Sequence, residues 1–218
     1  MQYLKTFLKY FTNSTLIPRF RGYVNGVIHS FSSTKSLIYS PICFTGKYIK
    51  IGSSVVIYKN CRIQGITSYV GRAYTPSIVL MQGVSIQQNC HITCAESISI
   101  GDNTAIASNV TITDIDHPYH DIAIPIEKQP LDVAPVVIGR DCKIYNNAVI
   151  LRGTIIGNHC VVGANSVVKG TFPDNCIIVG CPARIVKRYN ENSNRWEPTT
   201  PEGIFKLDYN DTNTTKNK

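Results

Sequence analysis

The chain has no apolar run long enough to cross a membrane, although 43% of its 218 residues are hydrophobic. Its first residues, MQYLKTFLKYF, are too interrupted by Lys5 and Lys9 to form the apolar centre of a secretory signal. None of the eight cysteines belongs to a CxxC pair, which argues against a zinc ribbon. A basic-aromatic module is also lacking and the cations are spread out, so the net charge of +8 does not indicate a nucleic-acid partner.

Aliphatic residues recur every six positions in the second half of the chain. The uninterrupted series is Ile138, Ile144, Ile150, Ile156, Val162 and Val168. A period of six is neither the 3.6 of a helix nor the 2 of a half-buried strand. A short period kept over many turns is typical of a solenoid. The series therefore predicts a parallel β-helix of hexapeptide repeats, in which three six-residue pieces close one triangular coil. The alternative is a sandwich of unrelated short strands, which would not require strict spacing.

The other positions of the repeat support a β-helix. Small residues follow the aliphatic ones by four positions: Cys142, Ala148, Thr154, Cys160 and Ser166. We expect these side chains to point inward and to fill the limited space beside the next corner. Glycines come directly after several aliphatic residues, at Gly139, Gly157 and Gly163, where a tight corner would favour a residue without Cβ. Asparagine and aspartate occupy many remaining positions, as turns with left-handed backbone would favour.

The six-residue spacing also occurs earlier, with two interruptions. One stretch contains Ile51, Ile57 and Ile63, with Val55, Cys61 and Thr67 at the small positions; a second runs from Leu80 through Ile86 and Ile92 to Ile98. The register then slips by two residues and restarts at Ile100, which predicts a bulge or a distorted corner. Residues 68–77 and 113–135 leave the pattern altogether. Long excursions from a compact repeat are usually functional or disordered.

We expect three segments. Residues 1–40 form an N-terminal helical segment, residues 41–188 the β-helix with the loop 113–135, and residues 189–218 a polar, partly disordered tail. The amphipathic N-terminus either caps the prism or touches an anionic membrane surface. Four cysteines at small inward positions, Cys61, Cys90, Cys142 and Cys160, indicate reduced thiols in a cytoplasmic protein. The net charge suggests a phosphate-bearing small molecule or a phospholipid-linked substrate.

Four segments resemble the hexapeptide-repeat acyltransferases. They are ISIGDNTAIASNVTITDIDHPYHD (98–121), PVVIGRDCKIYNNAVI (135–150), IIGNHCVVGANSVVKG (155–170) and NCIIVGCPARIVKRYN (175–190). The DIDHPYHD loop and the ending most resemble the lipopolysaccharide and capsule O-acetyltransferases. The resemblance implies a left-handed parallel β-helix, acetyl-CoA as donor, a carbohydrate acceptor, and a homotrimer with active sites between subunits. The hand comes from the resemblance alone, since parallel crossovers are ordinarily right-handed.

The candidate base is His117, which stands where the periodicity breaks and matches the family's catalytic histidine. Moving an acetyl group from a thioester to a sugar hydroxyl requires a base of near-neutral pKa, and histidine suits that task. A carboxylate should hold the other ring nitrogen, and Asp114 and Asp116 are the nearby candidates. For the acceptor we expect contacts from Gln87, Tyr119 and His120.

The resemblance also implies where coenzyme A binds. The matching positions are Asn146, Ala164, Lys169, Arg184 and Lys187. This chain departs from the family at Lys143-Ile144-Tyr145, where relatives commonly have Trp-Ile-Gly, so one wall of the pantetheine groove differs. No metal is expected, because His29, His91 and His159 lack the spacing of the zinc carbonic anhydrases built on the same scaffold.

The acceptor remains open among several classes. We expect an O-acetyltransferase that modifies a sugar of a surface polysaccharide or its precursor, in the cytoplasm and at the inner membrane face. One alternative keeps the chemistry and changes the acceptor to a free sugar, a nucleotide-linked amino sugar, serine or an antibiotic. The other is a non-catalytic β-helix scaffold, which would have no need for the histidine displayed in the DIDHPYHD loop.

Overall fold

Short parallel strands form the three faces of a triangular prism. The computed structural model describes residues 36–206, so the predicted N-terminal helix and the YNDTNTTKNK end lie outside the described residues. Face A contains the strands Leu37–Ile38, Val56–Ile57, Ser85–Ile86, Ala105–Ile106, Lys143–Ile144, Val161–Val162 and Cys176–Gly180. Face B contains Cys43–Phe44, Arg62–Gly65, His91–Cys94, Thr111–Thr113, Val149–Ile150 and Val167–Val168. Face C contains Ile49–Ile51, Ser77–Leu80, Ser97–Ile100, Val136–Ile138, Ile155–Ile156 and Thr171–Phe172.

The aliphatic residues that recur every six positions, named here the six-residue ruler, form the core of the prism, as predicted. All six aliphatic residues of the series from Ile138 to Val168 are at most 1% exposed, and each pairs in parallel with its equivalent in the adjacent coil, as Ile150 does with Val168. The small inward positions are buried as well. There the cysteine thiols donate to carbonyls of the next coil, for example Cys142 Sγ to Gly157 O at 3.1 Å. The assignment is wrong at Thr67, which is exposed because the chain leaves the coil after Ile66.

Glycine and asparagine serve different needs at the corners. Left-handed backbone occurs at Asp141, Asn147 and Asn165, as predicted for turn residues. Gly139 instead has no positive φ. A Cβ there would lie 2.5 Å from the carbonyl oxygen of Gly157, so glycine is required by the close approach of the next coil. The expectation that these corners require a residue without Cβ is confirmed at Gly139.

Every long interruption leaves the prism at the corner between faces B and C. In three successive coils the chain passes from face B to face C through residues 66–76, 95–96 and 114–135. The first is a hairpin of Ser68–Tyr69 and Arg72–Ala73, named here the corner hairpin (residues 66–76). The second is the predicted slip: the coil from Leu80 to Ile100 is two residues longer than the coil from Ile138 to Ile156.

The third interruption is the corner loop (residues 114–135). Its ends pair as antiparallel strands, Ile115–Asp116 with Asp132–Val133, and it contains the 3-10 helix Ile126–Lys128. A second 3-10 helix, Gly46–Tyr48, lies at the same corner of the first described coil. The corner between faces B and C therefore carries the irregular structure from which a site can be built.

The ends of the β-helix differ from the predicted boundaries. The first described strand, Leu37–Ile38, already pairs with Val56–Ile57, so the coils begin before residue 41. At the other end, Ala183–Asn190 turns back antiparallel on Cys176–Gly180 and pairs with Arg195–Pro198. The beginning of the predicted tail is therefore an ordered β-hairpin. Within residues 36–206 no helix has the length and apolar character needed to span a membrane.

Candidate active site

Two tyrosines of the corner hairpin fasten the corner loop. The Tyr74 hydroxyl accepts the backbone N–H of Leu131 at 2.9 Å, and Tyr74 is 9% exposed. The Tyr69 hydroxyl donates to the Glu127 carboxylate at 2.6 Å from Oε2. Within the loop, the Gln129 amide donates to the carbonyls of Asp121 and Ile124, at 2.9 Å each. These bonds satisfy backbone groups that an irregular loop would otherwise leave unpaired.

A second hydrophobic cluster, separate from the core of the prism, lies beneath the loop. Tyr74, Ala95 and Leu131 are buried in it, and further apolar side chains pack against them: Ile66, Tyr69, Ile115 and Val133. The cluster joins all three interruptions of the B–C corner, since it takes residues from the hairpin, from the two-residue insertion and from the loop. It gives the loop a packed base, so the loop is held by more than its hydrogen bonds.

His117 stands on this cluster with its two ring nitrogens in different surroundings. Its ring meets the Tyr69 ring edge-on, with centroids 5.4 Å apart and planes at 75°. Nδ1 is buried and has no hydrogen-bond partner, and its separation from Glu127 Oε2 is 3.9 Å. The side chain as a whole is 38% exposed, which leaves Nε2 as the nitrogen able to reach a ligand. A small closing movement would bring the carboxylate of Glu127 into contact with Nδ1.

Glu127 is the residue that sequence reasoning missed. It lies in the 3-10 helix Ile126–Lys128, in a stretch without periodicity, and belongs to no motif that could have distinguished it. The single proton of the Tyr69 hydroxyl faces two acceptors of Glu127, the carboxylate at 2.6 Å and the backbone carbonyl at 2.9 Å. The carboxylate raises the pKa of the Tyr69 hydroxyl, because ionisation would lose the hydrogen bond and place two negative charges together.

Neither predicted base-orienting aspartate bonds to the His117 ring in the structure. Asp114 is fully buried, and its carboxylate accepts the backbone N–H groups of Ala95, Glu96 and Ser97, each at 2.8 Å. It holds the two-residue insertion of the preceding coil in place. Asp116 accepts the backbone N–H of His117 at 3.0 Å, so it positions the main chain at the base.

The remaining predicted residues of the loop are exposed. Tyr119 is 67% exposed, and its ring centroid lies 5.1 Å from that of His120. The His120 side chain is 73% exposed, with Nε2 3.9 Å from a carboxylate oxygen of Asp132. Arg152 bridges Asp116 and Asp132, at 3.3 and 3.6 Å, and so ties the two strands of the loop to the following coil. This arginine was not singled out from the sequence.

A pocket of about 380 Å³ opens beside His117. Face B forms its floor, and the hairpin and loop form its walls. The lining residues are Ile66, Tyr69, His91, Thr93, Thr111, Thr113, Ile115, His117 and Leu131. Burial, followed by the charge of Arg62, lowers the pKa of His91, so this imidazole is neutral at neutral pH. The arrangement offers a base at the edge of a small pocket that opens to solvent.

The predicted coenzyme A residues lie elsewhere on the prism. Asn146 and Ala164 follow strands of face A and stand at the corner between faces A and B. Gln87, which was predicted to contact the acceptor, stands at the same corner and so lies away from the pocket beside His117. His117 stands at the other edge of face B. Lys169 follows a strand of face B and is exposed, and the last two positions, Arg184 and Lys187, lie on the C-terminal hairpin. One chain therefore does not gather these residues around the pocket.

The departure from the family sequence also has a structural counterpart. Tyr145 is 44% exposed at the A–B corner, and the Lys143 ammonium lies 5.5 Å from the centroid of its ring. A cation over an aromatic face is a favourable contact. These are the two positions at which the resemblance leads one to expect Trp and Gly.

Comparison with known proteins identifies the chain's relatives. Residues 135–170 match the family model described as bacterial transferase hexapeptide (six repeats). A putative lipopolysaccharide biosynthesis O-acetyl transferase of Escherichia coli K12, WbbJ, is 37% identical over an alignment of 169 residues that covers 65% of this chain and 86% of the relative. Galactoside O-acetyltransferase of the same organism is 31% identical over 117 residues, 52% of this chain and 56% of that protein.

A solved structure supports the same assignment. The crystal structure of a hexapeptide-repeat containing acetyltransferase from Vibrio cholerae superimposes with a TM-score of 0.57 and 25% identity, covering 84% of this chain and 88% of that one. The six-residue ruler, the parallel three-faced prism and the similarity to WbbJ over most of its length lead to one conclusion. The chain belongs to the hexapeptide-repeat acyltransferases, enzymes built on the left-handed parallel β-helix.

Proposed function

We propose that this protein transfers the acetyl group of acetyl-CoA to a sugar hydroxyl of a surface polysaccharide or its precursor, with His117 as general base. The observation that carries the proposal is the position of His117, with Nδ1 shielded beside Glu127 and the ring at the edge of a small pocket. The names of the two Escherichia coli relatives, a lipopolysaccharide O-acetyl transferase and a galactoside O-acetyltransferase, support the acetyl donor and the sugar acceptor. A non-catalytic scaffold would give no reason for this arrangement.

In the proposed reaction, Nε2 of His117 takes the proton of the acceptor hydroxyl while its oxygen attacks the thioester carbonyl carbon. The tetrahedral intermediate then collapses, the carbon–sulfur bond breaks, and Nε2 returns the proton to the leaving sulfur. The products are the sugar ester and free coenzyme A, so atoms and protons balance. General-base catalysis of this kind is worth about 10²–10⁴-fold in rate.

Glu127 acts on the proposed base through Nδ1. A carboxylate that accepts the Nδ1 proton fixes the tautomer with a free Nε2 and stabilises the imidazolium that forms during transfer. Tyr69 supports this role, because its hydroxyl holds Glu127 Oε2, the oxygen that lies 3.9 Å from Nδ1. Asp116 assists by holding the main chain at His117.

We infer that a neighbouring subunit completes the site, in a homotrimer. The predicted coenzyme A residues at the A–B corner are separated from His117 by the width of face B, so a second subunit is needed to bring both sets together. Exposed apolar side chains of the corner loop support assembly, with Ile122 at 99%, Ile124 at 43% and Ile126 at 51%. Arg184 and Lys187 are suited to the phosphates of coenzyme A.

The proposal is tested by thiol release from acetyl-CoA with a panel of glycosides and polysaccharides as acceptors. His117→Ala should lower kcat by about 10²–10⁴-fold while coenzyme A binding, measured by calorimetry, stays unchanged. His120→Ala is the matched control in the same loop, and its kcat should remain within a few-fold of wild type. Turnover of His117→Ala at the wild-type rate would mean that another group is the base.

A second set of variants separates Glu127 from a merely structural residue. Glu127→Gln keeps the size and loses the charge, so kcat should fall by about tenfold or more with KM unchanged. Glu127→Asp keeps the charge and should restore part of the rate. Equal loss in both variants would assign the effect to loop structure and not to the carboxylate.

A further inference from the structure

The pocket beside His117 is lined mostly by carbon, with a few polar groups among its lining side chains. From face B it receives Thr93, Thr111 and Thr113, each with a methyl group and a hydroxyl, and the imidazole of His91. From the hairpin and loop it receives Ile66, Ile115, Leu131 and the ring of Tyr69, which belong to the second hydrophobic cluster. Among the described residues, no aspartate, glutamate, lysine or arginine lines it. Apart from His117, the hairpin and loop side presents an aliphatic and aromatic surface, and the few further polar groups come from face B.

The size of the pocket restricts what it can hold. About 380 Å³ lies near the lower end of the range of about 300–1,000 Å³ for small-molecule sites. It suits a single sugar ring better than a longer saccharide or a nucleotide. The lack of a cation in the lining does not favour an acidic sugar, because a buried carboxylate requires a paired charge.

We propose that this pocket selects a 6-deoxyhexose as the acceptor sugar, with the C6 methyl group against Ile66, Ile115 and Leu131. The inference rests on the proposed acetyl transfer to sugars and names the acceptor class. An ordinary hexose would bury its C6 hydroxyl against the aliphatic wall without a partner, which is unfavourable. A 6-deoxyhexose has a methyl group at that place, and its ring hydroxyls can face the few polar groups of the lining and the open side of the pocket. The Tyr69 ring offers a flat apolar surface to the C–H groups of the sugar.

The test uses acceptor pairs that differ only in the C6 hydroxyl. Suitable pairs of methyl glycosides are fucoside and galactoside, rhamnoside and L-mannoside, and quinovoside and glucoside. With acetyl-CoA as donor, kcat/KM of the 6-deoxy member should exceed that of its partner by about 10–200-fold in each pair that is accepted, the range for apolar pockets. Equal values, or a preference for the 6-hydroxy member, would overturn the proposal.

Two isosteric variants link the preference to the wall. Ile115 lies in a strand, where valine and threonine are both favoured, so Ile115→Val and Ile115→Thr should fold alike. Ile115→Val keeps the wall apolar and should retain the preference. Ile115→Thr gives a side chain of the same shape as valine but with a hydroxyl, so the preference for the 6-deoxy sugar should shrink to a few-fold. Equal preferences for the 6-deoxy sugar in the two variants would show that the C6 group does not contact this wall.

A longer acyl chain of the donor is the other apolar group that could occupy the pocket. Donors with different acyl chains test this alternative. Butyryl-CoA should be a poorer donor than acetyl-CoA in the wild type. Faster transfer of butyryl, lost in Ile115→Thr, would assign the pocket to the donor and overturn the proposal. Acetylation of a purified polysaccharide but of no glycoside pair would overturn the acceptor class alone. Absence of acetyl transfer to every acceptor would instead remove the proposed function itself.

Discussion

A single buried carboxylate supports the part of the prism on which the site is built. Asp114 gives its two oxygens to three consecutive backbone N–H groups and to the thiol of Cys94, whose Sγ is 3.2 Å from Oδ2. Burial, followed by the charge of Asp114, raises the pKa of the Cys94 thiol and keeps it protonated as a donor. The two-residue insertion interrupts the regular hydrogen bonds between coils. The side chain of Asp114 supplies the acceptor that these backbone N–H groups would otherwise lack.

Asp114→Asn should destabilise the protein by about 1–3 kcal/mol, because the amide nitrogen of asparagine would face backbone donors in place of an acceptor. Chemical denaturation measures this change in the free energy of unfolding. Asp102→Asn is the matched control, since Asp102 is exposed and its carboxylate accepts one N–H, that of Gln82, at 2.9 Å. The control should change stability by less than about 0.5 kcal/mol. Similar losses in both variants would contradict the structural role given to Asp114.

The role of a residue could be predicted from the sequence where the six-residue pattern stops. It could not be predicted where the contacts of the residue depend on how the loop folds. His117 stood out because the ruler stops just before it. Glu127 could not be found, because its approach to the imidazole depends on the return of the loop from the 3-10 helix and on Tyr69. Asp114 was assigned to the histidine because of its closeness in sequence. Its partners are backbone amides of the preceding coil, which carry no sequence signal.

At the scale of elements, the corner hairpin and the corner loop form one unit. They belong to different coils, yet Tyr69 and Tyr74 of the hairpin hold the loop at two points, and both elements pack on the second hydrophobic cluster. The interruptions could be predicted as segments, residues 68–77 and 113–135. Their contact could not, because nothing in the six-residue ruler says that successive excursions leave at one corner.

Removing one hydroxyl should loosen this unit. Tyr74→Phe leaves the buried N–H of Leu131 without its acceptor, which should cost about 1–3 kcal/mol locally. Limited proteolysis should then cleave the corner loop faster than in the wild type, with the coils intact. Tyr58→Phe is the control, because Tyr58 lies on the A–B corner, stacked on Tyr39 at 5.2 Å. Unchanged cleavage in Tyr74→Phe would mean that the loop is held by packing alone.

At the scale of the whole molecule, the prism has a core that one repeat cannot bury alone. Each coil contacts its neighbours, so stability accumulates along the axis. This architecture was predictable from the ruler, because the aliphatic and small residues recur independently of the loops. The cysteines follow the same rule: six of the eight are buried, at Cys61, Cys90, Cys94, Cys142, Cys160 and Cys176.

Thiol labelling reports on the coil register across the whole prism. In the folded protein a maleimide should modify exposed Cys181 rapidly, while the six buried thiols react only after denaturant is added. Mass spectrometry of the peptides identifies the modified positions. Fast labelling of Cys61, Cys90, Cys142 or Cys160 in the native state would show that the inward positions are misassigned.

The assembly proposal is tested by mass in solution. Sedimentation equilibrium at micromolar concentration should give three times the 24.2 kDa of one chain. Ile122→Asp and Ile124→Asp together should weaken the assembly, because they place charge on the exposed apolar part of the corner loop. A wild-type mass of one chain would exclude a site shared between subunits.

The C-terminal hairpin covers the last strand of face A of the β-helix. A parallel β-helix presents, at its last coil, strands whose backbone groups could pair with the first coil of another molecule, and repetition of that contact would build a fibre. Here the last strand of face A, Cys176–Gly180, is covered by Ala183–Asn190 running in the opposite direction, and Arg195–Pro198 forms the outer edge. On face A, an incoming parallel strand would therefore meet an antiparallel ribbon and could not continue the parallel ladder.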